Sequence, residues 1–178
     1  MPANIEFKAR IADFAAASAT AAELSGGPPR IIRQEDVFFR CQHGRLKLRI
    51  LGHDAGELIH YLRADVSGPK RSEYSVVPTS TPHALRRLLA NALGETIVVS
   101  KSRALYLIGP TRIHLDQVEK LGQFMEVEVV LGDGLDAEQG EEIAADLLGR
   151  FGIRESDLVP TAYADLLRAA GEAFPGRP

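Results

Sequence analysis

Apolar and polar residues alternate along eight short segments of the chain, which is the pattern of strands with two unlike faces. In residues 4–11 every second side chain is apolar, and the positions between them carry an amide or a charge. The same period predicts strands within 32–40, 44–50, 57–65, 73–77, 96–108, 112–116 and 124–131. These segments are too short and too closely spaced for crossover helices, so the pattern predicts antiparallel pairing.

Four helices are predicted between and after these strands. Residues 13–24 are rich in alanine and end at a Gly-Gly-Pro-Pro sequence. Thr81 and Pro82 are typical of a helix start, and Asp136 is expected to cap a helix that runs to Phe151. A last short helix is predicted over about 161–170. The second helix has an apolar stripe made of Leu85, Leu88, Leu89 and Leu93.

Length and composition are those of one globular domain over residues 1–178. The 178 residues are 45% hydrophobic and 25% charged, which suffices for a core without disulfides or a structural metal. The single cysteine, Cys41, has no partner at zinc-binding spacing. A net charge of −3 gives no general attraction to nucleic acid or membranes. Charged residues near the N-terminus replace the apolar stretch of a signal peptide, so a cytoplasmic location is expected.

The polar faces of the predicted strands carry an unusual number of charges. Bases cluster in 45–49 and 101–103, whereas acids cluster in 126–128. A solvated outer face explains any one such strand. Like charges repel on a flat sheet, however, and the helices need apolar faces to cover. Both features are explained by an α+β fold in which an antiparallel eight-stranded β-barrel has charges inside and helices packed outside.

A charged barrel interior requires a ligand, because unpaired buried charges are costly. A polyphosphate would satisfy lysines and arginines, and a divalent cation such as Mg²⁺ or Mn²⁺ would satisfy carboxylates and bridge phosphates. A carrier of apolar ligands, as in lipocalins, would need an apolar interior instead. Walker, dinucleotide-binding and metalloprotease motifs are absent from the sequence.

The ordered charged motifs resemble the CYTH domain, or triphosphate tunnel metalloenzyme, family. Ile5-Glu6-Phe7-Lys8 resembles the Glu-x-Glu-x-Lys strand that opens these proteins, which include class IV adenylate cyclases and thiamine triphosphatases. The basic strand 45–49, the Lys101-Ser102-Arg103 sequence and the acidic run 114–128 follow in the family's order. The resemblance covers about residues 4–170 and implies a tunnel that binds a triphosphate and one or two Mg²⁺ or Mn²⁺ ions.

The resemblance also implies roles for individual residues. The metal ligands are expected to be Glu6, Asp116, Glu126 and Glu128. The phosphate-binding residues are expected to be Lys8, Lys47, Arg49, Arg63, Lys101 and Arg103, of which Lys8, Lys101 and Arg103 are the expected catalytic residues. Asn4 stands where the family's first motif Glu belongs, so the acidic cluster is one carboxylate short. An Asn carbonyl binds a hard cation more weakly than a carboxylate does.

Three functions remain open at this point. An adenylate cyclase, converting ATP to cyclic AMP and pyrophosphate, is favoured because residues 56–74 resemble the class IV cyclase branch. A triphosphatase acting on tripolyphosphate, thiamine triphosphate or a nucleoside triphosphate is the alternative. Asn4 motivates a third hypothesis, a protein that binds a phosphorylated ligand without turnover. The sequence also leaves open whether the protein forms a homodimer. His114 is expected to be structural, and the four tyrosines are expected to pack in the core: Tyr61, Tyr74, Tyr106 and Tyr163.

Overall fold

The predicted barrel is confirmed. The computed structural model describes residues 3–132 and 134–171, and its eight strands close in the order β1-β5-β4-β3-β2-β6-β7-β8. Every neighbouring pair is antiparallel. The strands are β1 (Ala3–Arg10), β2 (Arg30–Phe39), β3 (Arg45–Ile50), β4 (Gly56–Arg63), β5 (Lys70–Thr79), β6 (Glu95–Ile108), β7 (Thr111–Val118) and β8 (Gly122–Val130). The helices are α1 (Phe14–Ser25), α2 (Pro82–Leu93), α3 (Ala137–Arg150) and α4 (Tyr163–Ala169).

Helices α1 and α3 cover the apolar outer face of β1, β6, β7 and β8. Their buried Ala21 and Leu147 belong to one cluster with outward-facing strand residues such as Phe7 and Val127. A Cβ at Gly140 of α3 would lie 2.9 Å from side-chain atoms of both Ile5 and Leu131. The glycine therefore permits the close approach of α3 to β1. Burial of this face is the main hydrophobic contribution to the fold.

Helix α2 covers the outer face of β2 and β3 with only half of its predicted stripe. Leu85 and Leu89 pack against Val37 and Leu48. Leu88 and Leu93 are 62% and 38% exposed, so the stripe expectation is wrong for these two residues. Two residues at i and i+4 spacing are enough for the narrow contact that α2 makes with the sheet.

Helix α4 closes one end of the barrel. Along β6 and β8, the inward positions change from charged to apolar near this end, where they include Val99 and Phe124. These residues form a cluster with Tyr163 and Leu167 of α4. The other three helices lie outside the barrel as predicted, whereas α4 packs on its inward-facing residues.

Strand β5 begins earlier, and helix α4 begins later, than predicted. Strand β5 begins at Lys70 rather than residue 73, because Lys70 and Ser72 pair with β1. Helix α4 begins only at Tyr163, because Ala162 is extended and the carbonyls before it accept hydrogen bonds from lysines: Lys70 Nζ donates to Pro160 O and Lys8 Nζ to Thr161 O. Among the helices of the described residues, none is long and apolar enough to cross a membrane.

Candidate active site

The barrel interior contains a cavity of about 340 Å³. Its walls include all six predicted phosphate-binding residues and three of the four predicted metal ligands, Glu6, Glu126 and Glu128. The fourth, Asp116, is fully buried directly behind Arg103. Period-2 alternation places these side chains on one face of their strands, and barrel closure brings the faces together.

Asp36 of β2 is a buried acid that the sequence analysis missed. It accepts hydrogen bonds from Lys47 Nζ at 2.9 Å and from Arg49 Nε at 2.8 Å, and Lys101 Nζ lies 3.8 Å away. Burial alone raises the pKa of Asp36, but the charges of Arg49, Lys47 and Lys101 outweigh burial and hold that pKa well below its usual value. Asp36 thus gathers three predicted phosphate-binding residues around one anion.

Arg103 joins two of the predicted metal ligands. Its Nε and Nη2 donate to the two oxygens of Asp116 at 2.7 and 2.6 Å, and Nη2 also donates to Glu126. Tyr163 donates to Asp116 at 3.0 Å. Burial opposes ionisation of Asp116, yet Arg103 and Lys101 lower its pKa to about 2. Asp116 is therefore an ionised carboxylate whose two oxygens both accept hydrogen bonds from the protein.

Lys8 lies where the barrel meets the segment before α4. Its Nζ is 3.2 Å from Glu126 Oε1 and donates to Thr161 O at 3.0 Å. The ammonium also lies 3.9 Å from the centre of the Tyr163 ring, a cation–π contact. Burial lowers the pKa of Lys8, and Glu126 partly offsets this effect.

Arg63 has unused hydrogen-bonding capacity inside the barrel. Its Nη1 donates to Glu6 Oε1 at 2.8 Å. Within the described part of the chain, no acceptor satisfies its buried Nε and Nη2. Buried guanidinium donors without a partner are costly and are suited to an anion that accepts from both.

Three side chains form a group suited to a divalent cation. One ligand atom each from His114, Glu126 and Glu128 lies within 4.8 Å of the others. Burial and the charge of Arg103 lower the pKa of His114 to about 4, so the imidazole is neutral at pH 7. Among the described residues, its buried Nδ1 has no hydrogen-bond partner. A neutral nitrogen without a partner, beside two carboxylates, fits a metal ion, and the nitrogen favours Mn²⁺ over Mg²⁺.

This group differs from the predicted metal set. It adds His114, which was expected to be structural, and it lacks Glu6 and Asp116. Glu6 is directly opposite Glu128 in the β1–β8 register but forms an ion pair with Arg63. Glu6 and Asp116 as metal ligands stay predictions.

The tyrosines divide between the core and the cavity. Tyr106 is buried among the outer-face residues as expected. Tyr61, Tyr74 and Tyr163 line the cavity, although Tyr163 also belongs to the apolar cluster of α4 and Tyr61 packs against that cluster. Tyr106 has the opposite parity to Lys101 and Arg103 on β6, which predicts the outer face, whereas the predicted strand 73–77 has no repeated charges that mark the face of Tyr74.

Comparison with known proteins gives a family match over nearly the whole chain. The model of the CYTH domain matches residues 2–163. The adenylate cyclase CyaB of Aeromonas hydrophila is 26% identical over 102 residues, which are 57% of this chain. Because that match covers 53% of the cyclase, the chain spans about half the length of this curated relative.

Solved structures share the fold. The PH1012 protein of Pyrococcus horikoshii superposes with a TM-score of 0.80 at 24% identity, covering 92% of this chain and 98% of its own. A candidate adenylate cyclase from Vibrio parahaemolyticus superposes with a TM-score of 0.69 at 18% identity, covering 93% and 97%. At these identities the superpositions show the barrel alone.

Proposed function

Because the chain belongs to the CYTH domain family, we propose that it is a metal-dependent enzyme that cyclises ATP to cyclic AMP and pyrophosphate inside its barrel. The observation that carries this proposal is the convergence of six bases on one cavity inside the barrel, together with a His-Glu-Glu group whose two glutamates line that cavity. The name of the Aeromonas relative supports cyclisation over hydrolysis.

The charge of the cavity supports a cation-dependent reaction. Seven lysines and arginines line it, against five acids and Asp116 behind them. A fully ionised triphosphate carries roughly four negative charges, which this small positive excess does not neutralise. The proposed cation on His114, Glu126 and Glu128 would supply further positive charge where the phosphate oxygens lie.

In the proposed reaction the ribose 3′-hydroxyl attacks the α-phosphorus. A new oxygen–phosphorus bond closes the cyclic phosphodiester, the bond from the α-phosphorus to the oxygen that bridges it to the β-phosphorus breaks, and the hydroxyl proton passes to solvent water. Lys47, Arg49 and Arg63 would hold the phosphates, and their charges would stabilise the pyrophosphate as it leaves. Their rigid positions on strands limit the reorganisation required.

The test is an incubation of the purified protein with ATP and either Mn²⁺ or Mg²⁺, with products separated by chromatography. Cyclic AMP and pyrophosphate in equal amounts are expected, with Mn²⁺ the better cation. Release of inorganic phosphate instead would replace the cyclase with a triphosphatase. Binding of ATP without any product under either metal would overturn the enzyme proposal.

Binding without turnover is a second candidate, favoured by Asn4. This residue lines the cavity where the family motif has a carboxylate, and it leaves the acidic side with one charge fewer. Asn4→Glu distinguishes the two candidates. If turnover is absent in the natural protein and appears in Asn4→Glu, the natural protein is a binding protein.

A further inference from the structure

One wall of the cavity is uncharged. Four side chains of β4 and β5 that line the cavity make up this wall, which we call the neutral wall: Ile59, Tyr61, Tyr74 and Val76. In the strand register Ile59 is opposite Val76, and Tyr61 is opposite Tyr74. Side chains directly opposite on one face of an antiparallel pair contact each other, so the four form a continuous apolar and aromatic surface.

The neutral wall is incompletely covered by the protein. Val76 is 42% exposed and Tyr74 is half-buried. Over residues 3–132 and 134–171, no aromatic ring or cation stacks on Tyr74. Apolar surface facing a charged, hydrated cavity is unfavourable until a ligand removes it from water.

The neutral wall adjoins the groups proposed to bind phosphate. The Tyr61 ring centre lies 5.7 Å from Lys47 Nζ and 5.9 Å from the guanidinium carbon of Arg63. Both distances are shorter than a triphosphate chain. A molecule held by Lys47 and Arg63 therefore reaches the wall if it carries an organic group beyond its phosphates.

Two neutral polar side chains lie beside this wall. Asn4 is opposite Ser72 in the β1–β5 register, and both are buried and line the cavity. Ser72 is two residues from Tyr74 on the same face of β5. Asn4 Oδ1 has no hydrogen-bond partner among the described residues. An acceptor of this kind matches a hydroxyl or amino donor, which fully ionised tripolyphosphate lacks.

We infer that the neutral wall binds the aromatic ring of an organic triphosphate, with Tyr74 as a residue that determines specificity for such substrates over inorganic tripolyphosphate. The inference rests on the proposed function, because it requires the phosphates to lie on the cations of the cavity. Nucleoside triphosphates and thiamine triphosphate share the required chemistry, namely a planar ring linked to a phosphate chain.

The test is calorimetric titration with tripolyphosphate, ATP and thiamine triphosphate in EDTA, so that binding is separated from metal-dependent turnover. The proteins are the natural chain, Tyr74→Ala, Tyr74→Phe and Val77→Ala. Val77 is a matched control, because it is 60% exposed on the outer face of the same strand.

Tyr74→Ala is expected to weaken binding of an organic triphosphate about tenfold, the size of one lost stacking contact, and binding of tripolyphosphate less than about twofold. Tyr74→Phe and Val77→Ala should leave all three affinities within about twofold of the natural chain. If Tyr74→Ala weakens the binding of ATP more than that of thiamine triphosphate, the neutral wall binds the adenine ring. The opposite result would assign it to a thiamine ring.

Equal losses for tripolyphosphate and the organic ligands, or no loss in Tyr74→Ala, would overturn the inference and leave the proposed function standing. Binding of tripolyphosphate without binding of either organic ligand would overturn it as well. If the natural chain binds none of the three, either in EDTA or with Mn²⁺ added, the proposed triphosphate function fails and the inference fails with it.

Discussion

Asp36 holds three cations together that would otherwise repel one another inside the barrel. Lys47 and Arg49 lie on β3 and Lys101 lies on β6, the two strands that flank β2 in the sheet. The carboxylate lies at the centre of a site that we propose for phosphate. Its sequence neighbour Glu35 faces outward and pairs with Arg86, so the two adjacent acids serve different faces of the sheet.

Asp36→Asn should destabilise the fold by about 3–5 kcal/mol, because it leaves buried cations without their anion. Urea unfolding measures this loss. Glu57→Gln is the control, since its carboxylate lies 3.9 Å from Arg49 and is 36% exposed, and it should cost less than about 1 kcal/mol. Similar losses of stability in the two variants would contradict the role of Asp36 as the counter-ion of the buried cations.

The low pKa of Asp36 also predicts how stability depends on pH. A carboxyl group whose pKa is lowered by folding stabilises the protein above its unfolded pKa of about 3.9, and this contribution disappears as pH falls through the folded value. The natural chain should therefore lose stability more steeply below about pH 4 than Asp36→Asn. Parallel pH profiles would contradict this prediction.

Lys47 should make the proposed phosphate binding sensitive to alkaline pH. Burial and repulsion from Arg49 lower its pKa to about 8, and Lys101 adds to this effect while Asp36 opposes it. The rings of Phe38 and Tyr61 also lie near Lys47, each with its centre 5.7 Å from Nζ. Tripolyphosphate affinity should fall between about pH 7 and 9 in the natural chain, because Lys47 loses its charge. Lys47→Arg should lose less affinity over that range than the natural chain, since arginine stays protonated while Lys70, whose pKa is also lowered to about 8, still titrates. Equal pH profiles by calorimetry would rule Lys47 out as the cause.

Glu128 is the best single residue for testing the proposed metal group. Its protein partner, Arg112, is 42% exposed, so the loss of their 3.3 Å contact costs little stability. Glu126 is less suitable, because its removal would leave the buried cations Lys8 and Arg103 without one of their carboxylate partners. Glu128→Gln should weaken Mn²⁺ binding more than about tenfold in an electron paramagnetic resonance titration, whereas Glu57→Gln should not. Equal Mn²⁺ affinity in the two variants would exclude Glu128 as a ligand.

At the scale of the elements, the strands were predictable and α4 was only partly so. Strict alternation in residues 4–11 and 124–131 corresponds to β1 and β8, because one face of each is covered by helices and the other lines the cavity. The helical spacing of apolar residues in the sequence indicates that one face of the helix is apolar. It does not indicate which part of the protein that face packs against. The inward change from charged to apolar residues along β6 could not be assigned to a barrel end before the position of α4 was known.

The apolar cluster of α4 can be tested separately from the rest of the barrel. Leu167→Ala should cost about 2–4 kcal/mol, because Leu167 is 4% exposed, and hydrogen exchange in α4 should accelerate more than in β7. Leu88→Ala on α2, where the side chain is 62% exposed, should stay within about 0.5 kcal/mol. Acceleration of exchange in β7 to the same extent would show that α4 and the barrel unfold as one unit.

For the whole molecule, the sequence predicted which residues face the cavity better than which residues contact each other. The six predicted bases all line the cavity, since parity along a strand decides the face. Pairing across the barrel depends on register, which short motifs do not determine. The sequence therefore missed Asp36 as the partner of Lys47 and His114 as the neighbour of Glu126. It also missed the neutral wall, which requires β4 and β5 to be seen side by side.

The central claim is that a triphosphate binds inside the barrel, on its bases and through a divalent cation. A crystal structure with Mn²⁺ and a non-hydrolysable ATP analogue tests it most directly, because anomalous scattering locates the metal. We predict phosphates on Lys47, Arg49 and Arg63, a manganese peak between a phosphate oxygen and the Glu126–Glu128 pair, and the adenine against Tyr74. A nucleotide bound outside the barrel, with Asp36 still holding its three cations and no manganese in the cavity, would contradict the claim.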